Sequence, residues 1–263
     1  MKAFKGKAIY NPAGRAGEYS QWACNFYTGC SNACEYCYCR TGIMAHTWSE
    51  NPKLKKCFEN PDHALGIFEK ELLQNKLQLQ EHGLFFSFTT DPMLMETYDL
   101  TMLALNICYA NKVPVKLLTK KIWWMDDFLE SPKDFASVGF TLTGHDELEL
   151  NASNTFKRIL AMKRLHQAGF KTWASIEPIV DFESSLNMIR QSAPYCNLFK
   201  VGLMSGAKVD KLDLLIFIAK VKTVVYLNQP LKIYWKDNIT KIVGSDITES
   251  EFTVKRYFNL FKD

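Results

Sequence analysis

No stretch of this 263-residue sequence approaches the ~18 consecutive apolar residues that a bilayer-spanning helix requires. The N-terminal MKAFKGKAIY also lacks the apolar core and cleavage site of a signal peptide. A cytoplasmic location with no membrane partner is expected. Charge of one sign is scarce as well: 32 Lys and Arg against 28 Asp and Glu leave a net charge of +4. That value suits an anionic cofactor or substrate but does not mark a nucleic-acid-binding chain. An apolar content of 47% and a charged content of 23% exclude a disordered chain. The length fits one domain over residues 1–263, expected to act as a monomer.

A second CxxC or Cys/His pair, the usual mark of a zinc site, is also missing. Cysteine itself is plentiful, with eight residues in the chain. A reducing compartment disfavours structural disulfides, which leaves metal or redox chemistry as the better use for a cysteine cluster. Cys24, Cys30, Cys34, Cys37 and Cys39 crowd into one short segment. Cys57, Cys108 and Cys196 are scattered and read as small buried hydrophobes.

Beyond that segment the chain repeats a short apolar run, a polar turn and a longer amphipathic run, the pattern of βα units and a parallel sheet. Strands are predicted at 22–27, 84–89, 115–119, 137–143, 170–176, 197–203 and 223–227. Helices are predicted from Asn60 as N-cap to before Gly83, around Leu100 to Cys108, at 122–129, at 155–168 with Gly169 as C-terminal cap, after Asp181, and at 209–221. Six to seven such units fall short of a closed eight-stranded barrel. The expected fold is therefore α/β, a partial (β/α)6-type open TIM barrel with a core about 22–228. A C-terminal strand and helix extension, about 229–263, would end in an amphipathic closing helix at 248–261 carrying Phe252, Tyr257, Phe258 and Phe261.

The decisive segment is Cys30-Ser31-Asn32-Ala33-Cys34-Glu35-Tyr36-Cys37, three cysteines spaced as CxxxCxxC directly after a predicted strand. A [4Fe-4S] cube ordinarily takes four thiolates, one per iron. Three on one tight loop leave an iron free to chelate the amino and carboxylate groups of S-adenosylmethionine (SAM), whose reductive cleavage gives a hydrogen-abstracting 5′-deoxyadenosyl radical. Gly29 lets the chain turn sharply just before the loop. Zinc, or cysteines that bind nothing, are the competing readings. Cys39 or Cys24 as a fourth ligand would instead make an electron-transfer or redox-sensing centre.

In order along the chain, Asn25-Phe-Tyr-Thr-Gly-Cys30 through Cys37-Tyr-Cys-Arg40, Thr89-Thr90-Asp91-Pro92 with Glu96, and Leu118-Thr119-Lys120 recur as a set. Val138-Gly-Phe-Thr-Leu-Thr143 and Arg164 through Ile179 follow. This set resembles the radical SAM proteins of the spore photoproduct lyase and "DNA repair photolyase" type, over more than half the chain. The resemblance implies the radical SAM kind of open barrel, with a [4Fe-4S] cluster and SAM as cofactors and a reductant such as flavodoxin or ferredoxin as partner. It further implies that Lys120 and Thr141 help to hold SAM, while Tyr36 fits the usual form of the cysteine motif. Lys120 suits the methionine carboxylate on physical grounds, and Asp91 suits its ammonium group.

Ligands in such sheets sit at the carboxyl ends of the strands, where Thr90, Thr141, Ser175 and Glu177 are expected. Thr90 and Ser175 join the SAM-binding set, and Glu177 and Lys200 are candidate substrate-side acid/base residues. Two positions depart from the family. Phe88 stands where spore photoproduct lyase has its hydrogen-donor cysteine, so that lyase reaction by that route is not expected. Glu147-Leu-Glu-Leu-Asn151 replaces an LEPxAP stretch. A nucleic acid or nucleotide substrate is implied by the family alone. The runs 53–56 and 231–236 mix cations with apolar residues, which reads either as nucleic-acid contact or as a solvated basic face.

Overall fold

The computed structural model describes residues 3–262, apart from the side chains of residues 42 and 43. Ten strands are described: β1 (Ile9–Tyr10), β2 (Ala23–Cys24), β3 (Tyr27–Thr28), β4 (Lys53–Leu54), β5 (Leu84–Phe86), β6 (Val115–Thr119), β7 (Ala136–Thr141), β8 (Lys171–Ile179), β9 (Leu198–Leu203) and β10 (Lys232–Trp235). Eight of them form one sheet in the order β1-β2-β5-β6-β7-β8-β9-β10. β1 is antiparallel to β2, and the other pairs in the sheet are parallel. Among the described residues β1 and β10 do not pair, so the barrel stays open as expected.

The helices between these strands are α1 (Pro61–Gln74), α2 (Lys76–His82), α3 (Tyr98–Ala110), α4 (Met125–Phe128), α5 (Thr155–Gln167), α6 (Phe182–Ser192) and α7 (Lys211–Leu227), and α8 (Asp237–Val243) and α9 (Ser245–Thr248) follow β10. Four begin on a side-chain oxygen that accepts from backbone N–H groups of the first turn: Asn60, Asn154, Asp181 and Asp210. None is long and apolar enough to cross a membrane.

Strand alternation decides where the site lies. Leu84 and Phe86, Val115 and Leu117, Val138 and Phe140, Ala174 and Ile176, and Phe199 and Val201 face the helices and form the main core. The alternate residues face the concave side, where Phe85, Trp173, Leu198 and Tyr234 make a smaller apolar cluster. Register aligns Thr141 with Ser175, Ser175 with Lys200 and Lys200 with Tyr234, a row of polar groups across four strands on that inner side. Gly139 makes room for the Trp173 indole, because a Cβ there would lie 2.2 Å from the ring.

Three expectations are corrected. The predicted strand at 22–27 divides: Ala23–Cys24 stays in the sheet, while Tyr27–Thr28 turns out to pair with Lys53–Leu54. The predicted strand at 223–227 is the end of α7, and the last strand is β10, which lies beyond the expected core boundary. Val221 and Val225 lie one turn apart on one face of α7 and are buried, so tertiary packing overrides the β-propensity of the Thr-Val-Val-Tyr run. Finally, residues 249–262 form no closing helix; instead Phe252 and Val254 bond to Ile233 along the outer edge of β10.

Candidate metal and cofactor site

The CxxxCxxC loop leaves β3 and lies at the carboxyl ends of β2, β5 and β6. Gly29 turns with φ +90°, and a Cβ there would lie 2.5 Å from the Ser49 carbonyl, which accepts from Cys30 N–H at 3.0 Å. Asp91 ties the loop to the strand ends. One of its oxygens accepts from Asn32 Nδ2 (2.7 Å) and Lys120 N–H (2.8 Å), the other from Thr119 Oγ1 (2.7 Å) and Met93 N–H (3.0 Å). Four donors fill the sites a carboxylate offers. Asp91 is thereby a tether within the protein.

A second tether comes from Glu149, which sequence reasoning passed over. The backbone of Cys34 bridges to Glu149, Glu35 N–H donates to the Leu148 carbonyl at 2.9 Å, and Asn151 Nδ2 donates to the Ser31 carbonyl at 3.0 Å. Tyr36 Oη donates to one Glu149 oxygen, and the fully buried Arg158 donates to the other. Arg158 also donates to the Thr141 carbonyl at 2.5 Å. The stretch Glu147 to Asn151, the second departure from the family pattern, is therefore a buttress of the cysteine loop. Only the position of Glu149 within that departure hinted at it.

Burial raises the Cys30 thiol to about 12, with Asp91 adding to the effect, and burial also raises Cys34. Cys37 moves the other way, to about 6, because it accepts a hydrogen bond from the neighbouring Cys39 thiol, which is correspondingly raised. Lys120 points its ammonium at this group, 5.5 Å from the Tyr36 ring centre. Burial works against its charge, but the charges of Cys34, Tyr36 and Glu149 together outweigh that and hold its pKa well above the usual lysine value. Thiolate ligands must lose their protons on binding metal, and a fixed cation beside them favours that loss.

Among the described residues no three His, Cys, Asp or Glu side chains are grouped about one point. The donor chemistry of the loop, three thiols, fits a cube that takes each thiolate on a different iron. Asn32 Oδ1 and Thr90 Oγ1 are buried without a partner among the described residues, beside the loop and at the strand end, and polar ligand atoms would satisfy both.

The other expected residues meet on the inner face. Tyr19, from the segment before β2, donates to Glu177 Oε2 (2.6 Å) and shares a hydrogen bond with Ser175 Oγ (2.7 Å). Lys236 Nζ lies 2.5 Å from Glu177 Oε2 and 3.5 Å from Glu18 Oε2. Lys200 donates to the Glu18 and Tyr19 carbonyls, each at 2.9 Å, and burial lowers its pKa well below the ordinary value. Within the run 231–236, Lys236 is not solvated but buried against two carboxylates, whereas Lys232 is half-buried. Phe88 stacks on Phe85 with ring centres 4.4 Å apart, and its carbonyl accepts from Tyr38 Oη. The Cys39 Sγ lies 3.8 Å from that same carbonyl.

No family model matches the chain. An uncharacterized protein of Methanocaldococcus jannaschii is 26% identical over 207 residues, 74% of each chain. Among solved structures, a cysteine-to-alanine variant of spore photoproduct lyase superposes with a TM-score of 0.62 at 14% identity, over 83% of this chain and 77% of that one. Another variant, with bound AdoMet and dinucleoside spore photoproduct, gives 0.61 at 13% identity over 82% and 76%. The open, mostly parallel sheet with its covering helices is the fold of spore photoproduct lyase.

Proposed function

We propose that this protein is a radical SAM enzyme whose cluster is held by Cys30, Cys34 and Cys37. The observation that carries this is the placing of three thiols on one braced loop at the mouth of an open barrel, in a fold shared with a protein whose structure contains AdoMet. When bound, the cluster supplies the electron for reductive cleavage of SAM. Lys120 and Tyr36 would flank the bound SAM beside Cys34, and the Thr90, Thr141 and Ser175 hydroxyls and Asn32 Oδ1 would hold its polar groups. Tyr19, Phe85, Phe88 and Trp173 pack as an aromatic wall that keeps water from the inner face. No protein donor among the described residues reaches Glu177 Oε1, which leaves it for substrate, while the lowered pKa of Lys200 suits proton exchange there.

A nucleic acid or nucleotide is the proposed substrate class, by likeness to a neighbour that holds a dinucleoside, with flavodoxin or ferredoxin as reductant. Phe88 offers no hydrogen atom to a substrate radical, so the reaction differs from that neighbour's lyase chemistry in at least the final hydrogen return. Action as a monomer in the cytoplasm belongs to the same proposal.

Anaerobic reconstitution tests the reading. Formation of 5′-deoxyadenosine from SAM with a strong reductant is the expected result, and a stable cube without SAM turnover would overturn it. One observation favours a second reading: the Cys39 thiol acts on the Cys37 thiol more strongly than any other group does, and a neighbouring thiol of that kind would serve as the fourth ligand of an electron-transfer centre. Cys30→Ala, Cys34→Ala and Cys37→Ala should each lose the iron and its charge-transfer absorption, and Cys39→Ala should keep both. Loss in Cys39→Ala would establish the four-ligand centre instead.

A further inference from the structure

The basic run 53–56 takes no part in the inner-face network, and the fold gathers it with other lysines at the end of the sheet that carries the cysteine loop. Leu54 of β4 packs on the core, so strand alternation turns Lys53 and Lys55 to the opposite, outer face. Lys53 is aligned with Thr28, two residues before Cys30, and the Ser49 carbonyl accepts from Cys30 N–H at 3.0 Å. The β3–β4 ribbon is therefore joined directly to the cysteine loop.

A second segment completes the patch. β1 runs antiparallel to β2, so the residues before it lie at the carboxyl end of the sheet, on its open edge. Lys5 and Lys7 are exposed there, and the Lys55 ammonium donates to the Lys7 carbonyl. Lys5, Lys7, Lys53, Lys55 and Lys56 thus lie together where the open edge of the barrel meets its mouth.

Charge sets this patch apart. Residues 1–10 and 51–58 contain no Asp or Glu. Among the described residues none of the five lysines is in an ion pair. The carboxylates that border the patch are taken: Glu50 by Arg40 at 3.0 Å, and the buried Glu71 by the backbone N–H groups of Lys7, Ala8 and Ile9. The whole chain has a net charge of +4, which these lysines alone exceed, so the rest of the molecule is close to neutral. A small total charge gathered in one place is an electrostatic footprint for a polyanion.

Unpartnered donors stand beside it. Arg40, three residues past Cys37, lies over the Trp48 ring at 4.7 Å from its centre. Arg40 Nε and Trp48 Nε1, both on the connection between the cysteine loop and β4, are buried without an acceptor among the described residues. Oxygen atoms of a ligand would satisfy them. The exposed Tyr38 ring, two residues before Arg40, offers a stacking face for a base.

We propose that the segment around Lys5 and Lys7, the β3–β4 ribbon and Arg40 form a docking surface for the phosphodiester backbone of a nucleic acid, which crosses the open edge of the barrel beside its mouth. Lys53 and Lys55 are roughly 7 Å apart on an extended chain, a spacing comparable with that of successive phosphates on one strand. The lysines hold the backbone whatever its sequence, and choice of base falls to other groups. This surface rests on the nucleic-acid substrate proposed above and gives that substrate a place to bind.

Fluorescence anisotropy of the full chain with fluorescein-labelled oligonucleotides of mixed sequence tests it. Single-stranded DNA, single-stranded RNA and duplex DNA are separate arms that identify the source of the backbone. Lys53→Gln/Lys56→Gln should lose on the order of tenfold in single-strand affinity at about 0.1 M salt and about 1.4 in the log–log salt slope, the share of two phosphate contacts. Lys5→Gln/Lys7→Gln, from the other segment, should lose as much. Lys211→Gln/Lys220→Gln removes the same charge from α7 and should bind as wild type. A wild-type chain that binds none of the three probes would overturn the proposal, as would equal losses in all the double variants or none in any. So would a Lys53→Gln/Lys56→Gln chain that keeps its nucleic-acid affinity but is no longer reduced by flavodoxin, since the surface would then belong to the reductant. Formation of 5′-deoxyadenosine with a chemical reductant, measured alongside, separates the two readings. A chain that binds through these lysines without cleaving SAM keeps the surface and loses the radical chemistry, and one that cleaves SAM but binds no nucleic acid does the reverse.

Discussion

Glu149 shows how much one buried side chain can organise. It joins the Tyr36 phenol, in the cysteine loop, to the Arg158 guanidinium on α5, with both members of the ion pair wholly inaccessible. Removing one partner of a buried pair strands the other charge, at a cost of about 3–5 kcal/mol. Glu149→Ala should lower the urea-unfolding free energy by that order and should weaken iron retention, because the loop loses its brace. A loss below about 1 kcal/mol, typical of exposed pairs, would mean that Asp146, 3.5 Å from Arg158, takes over. Such a partnership is invisible in sequence: the motif cysteines announce themselves by spacing, whereas Glu149 lies 113 residues from Tyr36 and has no spacing rule to reveal it. Asp91 is the converse case, since its place at a strand end was legible but not that four protein donors would consume its carboxylate.

His145 offers a pH test at the same scale. Its ring nitrogens lie 2.7 Å from Glu147 and 2.6 Å from Asp181. Burial pulls its pKa down, but the two carboxylates outweigh burial and raise it above the ordinary value. A pKa raised by folding stabilises the native state fully below the unfolded value of about 6.5, and the stabilisation disappears as pH climbs past the native value. The stability difference between wild type and His145→Asn should therefore be larger near pH ~6 than near pH ~9. Denaturant titrations at the two values check this, and equal differences would show that the charged pair contributes nothing.

Among the elements, strands and helices with clear punctuation were legible. β6 lies between Pro114 and a polar turn and was read at its observed bounds, and the Asn60 cap and the Gly169 terminus of α5 also stand where residue chemistry put them. Elements failed where tertiary packing overrode local preference, as at the end of α7, or where a strand was only two residues long, as in β1 to β4. The packing of β7 against β8 depends on a residue that pattern reading cannot weigh. Gly139 lies beneath the Trp173 indole, and a methyl group there would come 2.2 Å from the ring. Overpacking of this sort costs about 1–3 kcal/mol. Gly139→Ala should lower the thermal midpoint and shift the Trp173 fluorescence, and an unchanged midpoint would mean that the indole moves aside freely.

At the scale of the whole molecule, an open barrel has two sheet edges to protect, and the chain covers each differently. At one edge the strand β1 is very short, and the Glu71 carboxylate from α1 accepts from the N–H groups of Lys7 (2.6 Å), Ala8 (3.0 Å) and Ile9 (2.7 Å). At the other, Ile233 of β10 donates to the Phe252 carbonyl at 3.0 Å and accepts from Val254 N–H at 2.8 Å, while Phe252 and Leu260 are buried. An edge strand without cover is a template for pairing with another chain. A protein truncated after Thr248 should accordingly retain the parallel sheet but associate in a concentration-dependent way, visible as light scattering that rises with protein concentration under conditions where the full chain stays monodisperse. A monodisperse truncated chain with an unaltered thermal midpoint would show that residues 249–262 lie on the sheet without guarding it.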